Sequence, residues 1–203
     1  MTGLIQRASA IQDTLADSLR PLQGLPALGL RLYLAPIMWM AGSTKLANFS
    51  DTAAWFGNSE WGLGLPFPYV MAALATGTEL LGAILLLVGL ATRWISLPLA
   101  ITMLVAAFTV HWPHGWQAIA DVQAPFANAR VLESADKLEA ARSLLQSHGN
   151  YEWLTSSGNV VILNNGIEFA ATYFLMLLAL IVMGGGRFVS ADFWLARAFS
   201  NKH

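Results

Sequence analysis

The chain has 203 residues, 56% of them hydrophobic and only 11% charged, with a mean hydropathy of +0.53. Soluble domains carry roughly a quarter charged residues, so this deficit alone argues for a membrane protein. A formal net charge of -1, without a Lys/Arg run, argues against a nucleic-acid partner. The lack of cysteine removes disulfides, thiolate metal sites and thiol chemistry by this chain alone, so redox work would need a cofactor or partner to carry the electrons.

Residues 1–24 place Leu4, Ala8, Ile11, Leu15, Leu19 and Leu22 at steps of three or four, with Gln6, Arg7, Gln12, Asp13 and Asp17 largely on other faces. This pattern predicts an amphipathic helix too polar to span, acting as a surface anchor or packing across the end of the spans. The stretch lacks an apolar core behind a basic start, so no cleavable signal is expected.

A first span is predicted over 28–47, with Arg31 in its first turn and Lys45 in its last, both long enough to reach the interfaces, and with Pro36 as a candidate kink. Residues 48–68, rich in Gly, Pro and aromatics, read as an interfacial loop.

The second span, 69–90, is the most apolar and reaches roughly 33 Å, enough to cross a bilayer core. Its single charge is Glu79, near the middle. A carboxylate at that depth must face protein, water or a cation. Ala75, Thr76, Gly82 and Ala83 share its helix face, and small faces let membrane helices approach closely, so Glu79 is expected to point toward neighbouring helices. A tight turn at Gly89–Arg93 leads to a third span, 94–110, bracketed by Trp94 and Trp112.

The connection 112–159 is long and mostly polar. Within it, Ala135, Leu138, Ala141, Leu144 and Leu145 predict an amphipathic helix over 133–146. A fourth span is predicted over 161–183, with Asn164, Asn165, Gly166 and Glu168 in its first turns and the glycines 184–186 at its end. Ser190 as N-cap and Asp192 in the first turn open a short aromatic C-terminal helix. The expected fold is therefore all-α, a four-helix transmembrane bundle with peripheral amphipathic helices, read as a single membrane domain.

With four spans both termini lie on one side, together with Arg7, Arg20, Arg31, Arg93, Arg187, Arg197 and Lys202. Lys45, Arg130, Lys137 and Arg142 lie on the other. The positive-inside rule then predicts cytoplasmic termini and an outward-facing loop 112–159.

The charges in or near the spans are the candidate site: Glu79, Lys45 and Glu168, with Arg31, Arg93 and His111. They read either as an ion-pair lock between helices or as a proton or ligand site. His111 and His114 are spaced for copper, zinc or haem, but Pro113 breaks the helical register between them and spacing places no third ligand. No metal site is therefore assigned, and interfacial residues beside Trp112 is the plainer reading. His111 could alternatively hydrogen-bond Glu168 or a quinone carbonyl. No P-loop, dinucleotide fingerprint or nucleophile elbow occurs in its required context.

The ordered set formed by Arg31, AGSTKL (Ala41–Leu46), ELLGAILLLVGLATR (Glu79–Arg93), His111, Glu168 and GGGRFVSAD (Gly184–Asp192) resembles the DoxX family of small bacterial inner-membrane proteins. The insertion 112–159 departs from the short family pattern and is similar to DoxX-like members found beside secreted bufferin-type metal-binding peptides. The resemblance implies kinship to the DoxD subunit of an archaeal thiosulfate:quinone oxidoreductase and to partners of redox-stress enzymes. By carry-over it marks Arg31, Lys45, Glu79, Arg93, His111 and Glu168.

The expectations are then an inner-membrane accessory or quinone-linked subunit of a redox or stress system, or a non-catalytic partner or translocation component for a periplasmic metal-binding peptide system that docks on the outer loop. A small carrier is a third reading, and four spans would need a homo-oligomer for that.

Overall fold

The computed structural model describes residues 2–200, excepting the side chains of 2–5, 7–9, 15 and 16. Lys202 of the sidedness argument, and the side chains of Leu4, Arg7, Ala8 and Leu15, lie outside the described residues. Nine α-helices follow one another among those residues: α1 Thr2–Leu19, α2 Leu25–Ala47, α3 Phe49–Gly57, α4 Pro68–Val88, α5 Thr92–Val105, α6 Ala129–His148, α7 Tyr151–Thr155, α8 Glu168–Met183 and α9 Ala191–Ser200. The fold is all-α. The only extended pairing among the described residues is an isolated antiparallel bridge between Ile119 and Leu163.

Among the described residues, three helical stretches are long and apolar enough to cross a membrane: Leu25–Ala47, Pro68–Val88 and Thr92–His114. The last continues α5 through a π-helical turn, Ala106–His111, and a 3₁₀ turn, Trp112–His114. The fourth apolar helix, α8, has 16 residues. The chain divides into two compact units, Met1–Ile101 with Leu175–His203, and Thr102–Phe174.

In the first unit α2 packs on α4. Both begin with a proline in the first turn, where the missing N–H costs nothing. Gly42 makes the close approach: a Cβ there would meet Leu80 Cγ at 2.8 Å. Ala27, Leu34, Met38, Ala72, Leu86, Leu99, Leu177 and Leu180 are buried in this unit, while Leu32, Trp39, Leu74, Leu87 and Trp94 remain exposed. A water-soluble domain would not leave so many large apolar side chains on helix surfaces; lipid would cover them.

Three boundaries differ from the sequence expectation. Residues 49–57 are a helix, not a loop; Ala53 and Phe56 bury against Ala72 and nucleate a small apolar cluster. The helix of the long connection runs over Ala129–His148, because Asn128 caps it by accepting the Val131 N–H at 3.0 Å. The fourth apolar helix starts at Glu168, not near 161. Residues 160–164 are instead extended beside 118–120, with Ala120 N–H donating to Ile162 O at 3.0 Å and Asn164 N–H to Ala118 O at 2.9 Å. A run of β-branched Val160, Val161 and Ile162 suits that conformation.

Candidate functional site

Lys45 sits in the last turn of α2 and Glu79 midway along α4. Gly42, one turn before Lys45, lets the two helices approach, and the Lys45 Nζ reaches both carboxylate oxygens of Glu79 at 2.8 Å. The Glu79 side chain is 2% exposed and that of Lys45 26%. The Lys45 side chain thus stays partly exposed while its ammonium neutralises a buried acid. Thr76, Gly82 and Ala83 are buried on the same stretch of α4, as the small-residue face predicted. Thr76 lies one turn before Glu79, and its hydroxyl is buried with no hydrogen-bond partner. The Arg31 Nε and the Thr92 hydroxyl are likewise buried without a partner among the described residues.

Arg31 does not reach an interface. It is fully buried, and its guanidinium donates from Nη2 to Val189 O at 2.8 Å and from Nη1 to Leu86 O at 3.3 Å. The reason is the geometry of the turn after α4. Gly89 closes that helix in the left-handed conformation, φ 69°, and donates its N–H to Leu86 O at 3.2 Å, so that carbonyl accepts from both Gly89 and Arg31, and a Cβ at Gly89 would overlap Nη1. Asp192 completes this end. Its carboxylate accepts the Ala91 N–H at 2.6 Å and the Thr92 N–H at 2.9 Å, while its own N–H donates to Gly89 O at 3.0 Å. Sequence reasoning gave Asp192 a favourable place on its own helix dipole; its clamp on the turn before α5, one hundred residues away, has no local signal. Ser190 does cap α9, accepting the Phe193 N–H at 3.2 Å. Arg93, also at this end, is exposed beside Gly184.

His111 and Glu168 belong to the second unit, each with partners there. The Nδ1 atoms of His111 and His114 lie 2.9 and 3.1 Å from the same carbonyl, that of Asn165, which itself adopts a left-handed φ of 60°. A carbonyl only accepts, so both rings donate from Nδ1, and each neutral ring keeps Nε2 as an acceptor. Glu168 accepts the Ala118 N–H through Oε2 at 2.9 Å. Asn164, which the sequence placed in a helical turn, is a buried tie: its Nδ2 donates to His114 O and Gln117 O at 2.9 and 2.7 Å, and its Oδ1 accepts from Arg130 Nε at 3.1 Å. Among the described residues no group of three or more His, Asp or Glu side chains is arranged to hold a metal. An open cavity of about 450 Å³ in this unit is walled by Trp116, Phe126, Phe169, Asp121 and Glu168.

Compared with protein-family models, residues 27–112 match the DoxX family. The matched stretch holds Arg31, Lys45, Glu79, Arg93 and His111, and leaves Glu168 and Asp192 outside. No curated protein and no solved structure matches the chain.

Proposed function

We propose, from the match of residues 27–112 to the DoxX family and the helices long and apolar enough to cross a membrane, that the chain is an accessory membrane subunit of a redox system. In this reading the Lys45–Glu79 pair is the place where a quinone head group is held. The observation that carries the reading is the Thr76 hydroxyl, buried and unpartnered one turn before Glu79. An ion-pair lock needs only the two charges; a third polar group, itself unsatisfied, favours a ligand oxygen. The donor set fits such a head group. Lys45 has three N–H donors, and its partly exposed side can give one to a carbonyl while it still holds Glu79. Thr76 adds a second donor. Glu79 accepts a hydrogen bond from a phenolic hydroxyl and can take its proton. The bound quinone would supply the electron chemistry that a cysteine-free chain lacks.

The test is purification in mild detergent followed by organic extraction and identification of quinones. Wild type is expected to carry quinone in stoichiometric amount, and Glu79→Gln and Thr76→Val to carry little. A wild-type protein that yields no quinone, from membranes that contain it, rejects the reading.

A second reading is favoured by the cavity of the second unit. Trp116 and Phe126 meet edge to face at 6.2 Å, and Asp121 and Glu168 form no ion pair among the described residues. This surface suits a cationic segment of a periplasmic peptide, for which the protein would be a non-catalytic docking partner. Asp121→Asn with Phe126→Ser should then abolish peptide capture and leave quinone content unchanged. Under either reading we place the protein in the inner membrane with both termini cytoplasmic, as one DoxX-like domain carrying an insertion.

A further inference from the structure

A second cavity, of about 490 Å³, lies in the first unit at the end where α4 stops and α5 begins, and is lined by residues 91–94 and by residues 183–193. It is independent of Lys45 and Glu79. Two guanidinium groups line it, Arg93 and Arg187, both exposed, and neither is in an ion pair among the described residues. Arg187 packs over the Phe188 ring at 4.7 Å. The one acid in the lining, Asp192, has its carboxylate oxygens on the Ala91 and Thr92 N–H groups and faces the field of buried Arg31 as well. The two lining arginines therefore leave a local excess of positive charge in the lining.

The remaining wall is apolar. Trp94 is 76% exposed, Met183 43%, and Phe193 lines the floor. Both arginines stand at the ends of apolar helices, Arg93 in the first turn of α5 and Arg187 just after α8, where an apolar segment gives way to the polar interface. A small hydrated anion has no use for an exposed Trp and Met beside its charge. A molecule with a phosphate above and hydrocarbon below uses both.

We propose that this cavity is a headgroup site for an anionic phospholipid, with Arg93 and Arg187 on the phosphate and Trp94 and Met183 against the first apolar atoms beneath it. The site carries charge selectivity rather than a shape code. Two arginines favour a lipid of net negative charge over a zwitterionic one by about 30-fold, and one arginine by about 5-fold.

The test uses the full chain, delipidated in detergent and then offered phosphatidylglycerol and phosphatidylcholine in mixed micelles, with retained lipid counted by native mass spectrometry. Wild type should retain phosphatidylglycerol in preference. Arg93→Gln/Arg187→Gln should retain the two lipids almost equally, while Arg142→Gln, in the other unit, keeps the wild-type preference. If the double variant does not accumulate, Arg187→Gln alone is read for its fivefold loss. Equal phosphatidylglycerol preference in wild type and in the arginine variants overturns the proposal. So does displacement of the lipid by millimolar inorganic phosphate, which would make the cavity a site for the free anion.

Discussion

A charge in the middle of an apolar helix is decisive because its alternatives are so costly. An isolated carboxylate at that depth costs about 2.5–3.5 kcal/mol on insertion scales, and more when lipid cannot deform around it. The two 2.8 Å contacts from Lys45 remove most of that cost for Glu79. Replacing a buried pair by apolar residues of similar volume is often neutral, whereas removing one partner strands the other. Glu79→Gln is thus expected to destabilise the protein by about 3–5 kcal/mol, with Lys45→Met/Glu79→Met returning to within about 1 kcal/mol of wild type. Thermal unfolding in detergent reads both. The double variant also tests the proposed quinone site: if wild type co-purifies with quinone, a stable double variant without it would locate the ligand at the pair, and one that retains it would leave the pair a packing role only. The sequence grouped Glu79 with Lys45 and Glu168 without choosing between them; Lys45 Nζ meets Glu79, while Glu168 accepts the Ala118 N–H. The depth of Arg31 was not legible. Its partners are backbone carbonyls of Leu86 and Val189, and any residue type can offer a carbonyl.

Helix ends explain where the sequence misled and where it did not. Gly89 ends α4 as the motif predicted, since its φ of 69° is open to glycine and strained for residues with a Cβ. The start of α8 was misplaced because short apolar runs read alike as helix or strand, and only the partner, here the segment 118–120, decides. The 49–57 helix was missed for a related reason: its aromatic content suggested an interfacial belt, while its stability comes from Ala53 and Phe56 packed on α4's Ala72. The turn joining α4 to α5 rests on Asp192, whose carboxylate takes two backbone N–H groups. Hydrogen bonds to a charged group contribute about 1.5–3 kcal/mol each in favourable settings, so Asp192→Ala should lower stability by about 2–4 kcal/mol and Asp192→Asn by about half as much. Gly89→Ala should act on the same turn from the other side, through both the strained φ and the overlap with Arg31. Unfolding midpoints of the three variants against a surface control such as Ser147→Ala check this. Equal midpoints for Asp192→Ala and the control would show that the clamp carries no stability.

At the scale of the whole chain the open quantity is the number of crossings, and the physical obstacle is the length of α8. Sixteen residues rise about 24 Å as an α-helix, against a hydrocarbon core of about 30 Å. Thinning of the bilayer and snorkelling of flanking residues accommodate such a mismatch at a modest cost per ångström. Its composition argues for crossing: the helix carries one charge, Glu168, at its first residue, and its other positions are almost entirely apolar. Three crossings would instead lay that apolar helix along the membrane surface. On the proposed four crossings both termini are expected on one side of the membrane and residue 147 on the other, with the arginine-rich ends in the cytoplasm. The absence of any cysteine from the sequence makes this directly measurable, because a single introduced thiol labels without background. Ser147→Cys, on an exposed turn of α6, should react with a membrane-impermeant maleimide in intact spheroplasts. Ser18→Cys near the end of α1 and Ser200→Cys at the end of α9 should react only after lysis. Labelling of Ser147 and Ser200 from the same side, opposite to Ser18, would make the number of crossings odd and leave α8 lying along the membrane. In that arrangement Arg187 could still reach the interface, but the sidedness drawn from the C-terminal arginines would reverse.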